Sequence, residues 1–93
     1  MALTLYMTLV TSSREIQSHQ NEIIRILDTN KIQYERVDIS VDKGLLEDMR
    51  KKAGNPTALP PLLFRGDKYI GNHEQLMAAV EDECLLTFLE GKE

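Results

Sequence analysis

The chain has 93 residues, where roughly 100–200 residues is the usual allowance for one domain, and its 42% hydrophobic content is ordinary for a globular protein. A single cysteine excludes an internal disulfide and a cysteine-built zinc site. Acidic residues number 15 against 11 basic, a net charge of −4, so a protein living on phosphate contacts is not expected and no nucleic-acid partner is assigned.

At the N-terminus, Met1-Ala2-Leu3-Thr4 has neither the basic start nor the apolar stretch of a secretory signal, and Ala2 stands where myristoylation needs glycine. Leu3, Leu5, Met7 and Leu9 fall at every second position with Thr4, Tyr6, Thr8 and Val10 between them. Such a strand is apolar on both faces, as in the middle of an α/β sheet. Ser12 and Glu15 have capping-box spacing. Ile16, Ile23, Ile24 and Leu27 then predict a helix from about Ser13 to Asp28, stopping near Asn30 in a left-handed conformation. Ile32 to Ile39 reads as the second strand. Ser40 caps a second helix through Ala53, with Leu45, Leu46, Met49 and Ala53 inward and Gly54-Asn55-Pro56 as its stop. A strand, a helix and a strand at this spacing make a parallel βαβ unit.

Pro60-Pro61 precedes a short strand, Leu62-Leu63-Phe64. Arg65-Gly66-Asp67-Lys68 is a turn, and Tyr69-Ile70-Gly71 is the returning strand of a hairpin. Asn72 and Gln75 form a capping box at the start of a last helical region, with Leu76, Ala79 and Val80 inward. Glu81-Asp82-Glu83 marks a break. Cys84, Leu85, Phe88 and Leu89 follow as a final amphipathic turn or two, and the end from Glu90 to Glu93 should fray. No apolar run approaches the ~20 residues of a membrane helix, so no membrane partner is expected.

The order β-α-β-α-β-β-α with a Pro-Pro before the third strand resembles the thioredoxin-like plan of the glutaredoxins. Leu59-Pro60-Pro61-Leu62-Leu63-Phe64 resembles their cis-proline strand. Tyr69-Ile70-Gly71-Asn72-His73-Glu74-Gln75-Leu76 resembles the segment that opens their third helix, and Glu83-Cys84-Leu85-Leu86-Thr87-Phe88-Leu89 resembles their ending. The SH3-binding glutamic-acid-rich-like protein family, a glutaredoxin-like group without the redox cysteines, resembles the chain more closely. Thr11-Ser12-Ser13-Arg14-Glu15-Ile16, Arg25-Ile26-Leu27-Asp28, Ile32-Gln33-Tyr34, Val37-Asp38-Ile39-Ser40 and Ala53-Gly54-Asn55-Pro56 carry that likeness, which points to the family's short members. The resemblance implies one glutaredoxin-like domain over 1–93, a thioredoxin-like α/β fold. It implies a four-stranded mixed sheet flanked by helices on both faces, with strand order two, one, three, four.

A glutaredoxin works through a thiolate at the start of its first helix, made acidic by the helix dipole and nearby cations. The corresponding segment here is Thr11-Ser12-Ser13-Arg14, which has no thiol. A hydroxyl is far less acidic and undergoes no disulfide exchange, and no histidine stands at a triad spacing. The two serines therefore read as a helix cap, no catalytic residue is assigned, and the chain is not expected to be an enzyme. Cys84 reads first as a small core residue and second as a redox-sensing thiol.

The resemblance makes Pro61 the cis-proline and puts Pro60 where a glutaredoxin pairs with glutathione through both N–H and C=O. Proline has no N–H, and one lost hydrogen bond costs about 0.5–1.5 kcal/mol. The helix start at Asn72, His73 and Glu74 keeps N–H groups suited to a carboxylate. Glu74 stands for an aspartate that reaches the ligand's amine. Asn72 stands for a glycine, and asparagine tolerates positive φ. Pro60, Pro61, Asn72, His73 and Glu74 are thus the candidate residues of a residual glutathione groove. Against this, Asn72 and Gln75 also read simply as a cap.

His19 and His73 lack partners at metal-ligand spacing, so no metal is assigned, and no cofactor is expected. Arg50-Lys51-Lys52 reads as a solvated face. No two of Pro56, Pro60 and Pro61 stand three apart, so P-x-x-P is absent and an SH3 domain is not an expected partner. The leading expectation is a non-enzymatic glutaredoxin-like protein in the cytoplasm, with the nucleus as a second compartment. It resembles family members regarded as modulators of glutaredoxin activity and as adaptors in signalling or cytoskeletal processes, and its protein partner is unnamed. The alternative is a weak glutathione-binding protein with a redox-sensing Cys84.

Overall fold

Leu3, Leu5 and Met7 leave one face of the first strand and Tyr6 leaves the other, so this strand needs cover on both sides. The computed structural model, which describes residues 3–11 and 13–90, supplies it. The elements are β1 (Leu3–Met7), α1 (Arg14–Thr29), β2 (Glu35–Asp38), α2 (Lys43–Ala53), β3 (Leu62–Arg65), β4 (Lys68–Asn72), α3 (His73–Glu81) and α4 (Leu85–Leu89). The sheet order is β2-β1-β3-β4, with β1 and β2 parallel and the other neighbours antiparallel. On one face Ile23 and Leu27 of α1, Leu76 of α3 and Leu89 of α4 close over Leu3, Leu5, Met7 and Leu63. On the other, Met49 of α2 closes over Tyr6, Leu62 and Phe64. The chain therefore has the thioredoxin-like plan that its element order implies.

The first strand is shorter than alternation predicts. Leu9 and Val10 are 73% and 77% exposed, because the ladder ends at Met7. There the peptide groups of Thr8 leave the sheet for Gln20 of α1. Gln20 Oε1 accepts from the Thr8 N–H at 2.8 Å, and its Nε2 donates to the Thr8 carbonyl at 2.9 Å. Both residues are buried, so this pairing replaces a strand neighbour in a place that water does not reach.

Several boundaries differ for equally local reasons. Ser13 caps α1 by accepting the Ile16 N–H at 3.2 Å. The left-handed residue after α1 is Lys31 at φ 56, not Asn30 at φ −90. The Lys31 and Ile32 N–H groups turn back to Asp28 and Leu27, which satisfies the last carbonyls. The second strand begins only at Glu35, and Ile32 and Tyr34 pack against the core ahead of it. Asp42 caps α2 through the Gly44 N–H, while Ser40 gives both N–H and hydroxyl to Asp38. That hydroxyl, with the Ser40 N–H, holds the Asp38 carboxyl below its usual value. Val80 lies one residue beyond the Leu76 and Ala79 stripe and is 39% exposed rather than inward. Glu83, at φ 57, makes the break between α3 and α4, and Cys84 beyond it is exposed, not a core residue. The Ser12–Glu15 capping box and the end from 91 to 93 lie outside the described residues.

The basic triplet on α2 is mostly committed to the fold. Arg50 Nε donates to the Ala58 carbonyl at 3.0 Å, and Lys52 Nζ donates to the Tyr6 hydroxyl at 3.2 Å beside Asp48 and Asp67. The Tyr6 hydrogen bond, chiefly, raises the Lys52 pKa. Lys51 alone of the three has the exposed position expected of a solvated face.

Replacing Gln20 with alanine leaves two buried peptide groups of Thr8 unpaired. At about 1–3 kcal/mol for each unsatisfied group, the expected loss of stability is about 2–6 kcal/mol, read as a lower urea midpoint. A loss below about 0.5 kcal/mol would show that the pairing carries little.

Candidate functional site

Gly54, at φ 68, ends α2 in a left-handed turn that glycine adopts without steric cost. The next residues fold on themselves. Asn55 Oδ1 accepts from both the N–H and the hydroxyl of Thr57 at 3.0 Å, and the Ala58 N–H returns to the Asn55 carbonyl. With Arg50 holding Ala58, this loop delivers Leu59, Pro60 and Pro61 to the top of β3. The Pro60–Pro61 bond is cis, and both rings are buried. Across from them stand the first two turns of α1, contributing Ser13, Glu15, Ile16 and His19. The start of α3 closes the third side with Asn72, His73 and Glu74.

Together these segments enclose an open groove of about 270 Å³. All five residues to which the sequence points, Pro60, Pro61, Asn72, His73 and Glu74, line it. The structure adds Glu15, Ile16, His19 and Leu59, which the sequence does not single out for the site. Cys84 is not among the lining residues.

Local hydrogen bonds occupy much of the groove's polar equipment. The Ser13 hydroxyl accepts from Ile16 and serves the helix, not an imidazole. At α3, the Asn72 side chain accepts the Gln75 N–H at 2.9 Å while Gln75 Oε1 accepts the Asn72 N–H at 3.0 Å. This is the capping box in full, and it withdraws the Asn72 and Gln75 N–H groups from any ligand. The donors left in that first turn are those of His73 and Glu74. Asn72 has φ −106, so the left-handed conformation suggested by its glycine counterpart is not used.

His19 and His73, far apart in the sequence, stack with ring centroids 3.8 Å apart and 5° between planes. His73 Nε2 lies 3.2 Å from Glu22 Oε2, and His19 Nε2 lies 4.0 Å from Glu15 Oε1. The stack pins α3 to α1 on the groove wall. Among the described residues no three histidine, cysteine or acidic side chains gather as a metal site. The His73 hydrogen bond lowers the Glu22 pKa, helped by the charges of His73, His19 and Arg25 and opposed by desolvation.

Residues 1–92 match the family described as SH3-binding, glutamic acid-rich protein. The chain belongs to this family. Among solved structures, this family member is similar to the actin interacting protein Aip5 of C. albicans. Identity is 25% and the TM-score 0.77, with 95% of this chain and 87% of that one covered. It also resembles buckwheat glutaredoxin in complex with glutathione, at 16% identity and TM-score 0.70, covering 95% and 76% of the two chains. Holo glutaredoxin C1 of Populus tremula x tremuloides gives 18% identity and TM-score 0.70, covering 95% and 82%. The two plant likenesses establish the fold that this SH3-binding, glutamic acid-rich family member shares with glutaredoxins.

Because Glu22 has a depressed pKa in the folded chain, its contribution to stability is present above the unfolded carboxylate value. It is lost as pH falls through the folded-state value. His73→Asn should move the Glu22 carboxyl back toward its ordinary value in a carbon-detected NMR titration, and should flatten the acid-side fall in stability. A Glu22 titration unaltered by the substitution would contradict this origin.

Proposed function

We propose that the chain is a non-enzymatic glutaredoxin-like adaptor whose groove docks a segment of a protein partner. The observation that carries this reading is a groove beside the first helix start whose described lining holds no cysteine. Ser13 caps the helix at the start of which a glutaredoxin has its thiolate, and Pro60 brings no N–H to the ligand wall. Shape complementarity to a chain segment needs neither. The likeness to the actin interacting protein Aip5 of C. albicans supports a cytoskeletal partner and a cytoplasmic setting. No cofactor is part of this reading, and neither is an SH3 domain, since Pro60 and Pro61 are buried in the groove wall.

The alternative, weak glutathione binding, draws on the two first-turn N–H groups that the capping box leaves open. Titration with millimolar glutathione separates the two readings. The adaptor should show no shifts at Asn72, His73 and Glu74, and saturable shifts there would favour the alternative. A redox-sensing Cys84 would act apart from that groove, since Cys84 does not line it.

Glutathione-disulfide oxidoreductase turnover should be absent in a coupled assay, and turnover that survives Cys84→Ser would overturn the non-enzymatic reading. Ser13→Cys places a thiol at a helix N-terminus, where its pKa should fall below the ordinary value near ~8.5 and its alkylation should quicken. Its turnover should stay poor until Pro60→Val restores the missing backbone donor. Glutaredoxin-like turnover from the single cysteine variant would show the ligand wall to be intact.

A further inference from the structure

We infer that the groove selects a basic segment, inserting a Lys or Arg side chain, over an anionic peptide such as glutathione. This rests on the docking role proposed above and names the chemistry of its partner. Three observations converge on it.

The first is charge. Glu15 on the α1 rim and Glu74 on the α3 rim are exposed carboxylates, and no Lys or Arg is among the described lining residues. The cations nearest in sequence on α1, Arg14 and Arg25, line a neighbouring cleft with Gln17, Ser18, Asn21 and Glu22. On α2, Arg50 and Lys52 are tied to Ala58 and Tyr6. The whole-chain charge of −4 adds to the local field in the same sense.

The second is hydrogen-bond polarity. Pro60 and Pro61 contribute only acceptors to the wall. The capping box has consumed two of the α3 donors, which leaves those of His73 and Glu74 in that turn. Glu74, in the first turn of α3, sets its own carboxylate against the positive helix end that would otherwise draw a ligand carboxylate. Glutathione carries two carboxylates and one ammonium, so beside the open N–H groups of His73 and Glu74 its carboxylates meet the like charges of Glu15 and Glu74. A lysine or arginine meets what it needs.

The third is shape. About 270 Å³ is smaller than the ~300–1,000 Å³ of sites that bury a whole small molecule. It suits a side chain or two from a segment lying across the mouth. Ile16, Leu59 and the two proline rings give an apolar bed for the methylene stem, and the Glu15 and Glu74 carboxylates line the same groove.

The test is selection of a phage-displayed random peptide library on the intact chain, followed by binding of the selected peptides to wild type and to Glu15→Gln/Glu74→Gln. Selected peptides should be enriched in Lys and Arg and poor in Asp and Glu. They should shift the amides of Ser13, His19, His73 and Glu74, and weaken as salt rises. The double variant, whose changes are at exposed sites and whose folding is checked by its amide spectrum, should bind them about five- to tenfold more weakly at low salt. Peptides that shift those amides without basic enrichment, or that bind the variant equally well, would overturn the charge selection and leave the docking role standing. Selection of no groove-binding peptide would overturn the docking role itself.

Discussion

One buried amide holds the groove's first wall in place. By taking both peptide groups of Thr8, Gln20 stops β1 at Met7 and turns the chain out of the sheet just ahead of the exposed pair Leu9 and Val10. The same two bonds fix the height of α1 against the sheet. Ser13, at the start of that helix, lines the same groove as Pro61. A buried side chain that answers a donor and an acceptor together is a geometric clamp, because each bond limits the freedom left by the other. Apolar packing of Ile23 and Leu27 supplies the bulk of the attraction between helix and sheet, but burial is non-directional and does not choose the register.

The groove sets a fold shared with glutaredoxins beside a hydrogen-bond pattern that serves the chain's own caps. Several polar groups of the groove wall are turned toward the chain, while the first-turn N–H groups of His73 and Glu74 stay open. Ser13 bonds to Ile16, Asn72 and Gln75 bond to each other, and the prolines have no N–H to give. Glu22 keeps His73 occupied from behind. The described lining also holds an aliphatic bed of Ile16, Leu59 and the two prolines, with the carboxylates of Glu15 and Glu74 beside it. The tightening also reaches the far face of the sheet, since Arg50 of α2 secures the loop that carries Leu59.

Much of this was open to reading from the residues, because the signals are local. Two-residue alternation locates β1, three- and four-residue spacing locates α1 and α2, and the three-residue interval from Asn72 to Gln75 gives the capping box with its cost and consequence. Pro60-Pro61 before an apolar triplet marks the groove wall through resemblance. The misses are tertiary. Gln20 interrupts the apolar stripe between Ile16 and Ile23, and only the fold shows that it has a buried peptide to serve. His19 and His73 come together because α1 and α3 cover the same face of the sheet, which no spacing along the chain encodes. Where two cap residues compete, as Ser40 and Asp42 do, the nearer acceptor Asp38 takes the serine and leaves the helix to the aspartate.

Cys84 stands in the open at the head of α4, and it is the only sulfur in the chain able to form a disulfide. A surface with one such sulfur has a valence of one. Oxidative coupling between copies must therefore terminate at a pair, because the second link needed to extend a polymer does not exist. Capping by a small thiol and pairing are mutually exclusive outcomes at the same atom. Since that atom lies outside the groove lining, either outcome leaves the lining residues chemically unaltered.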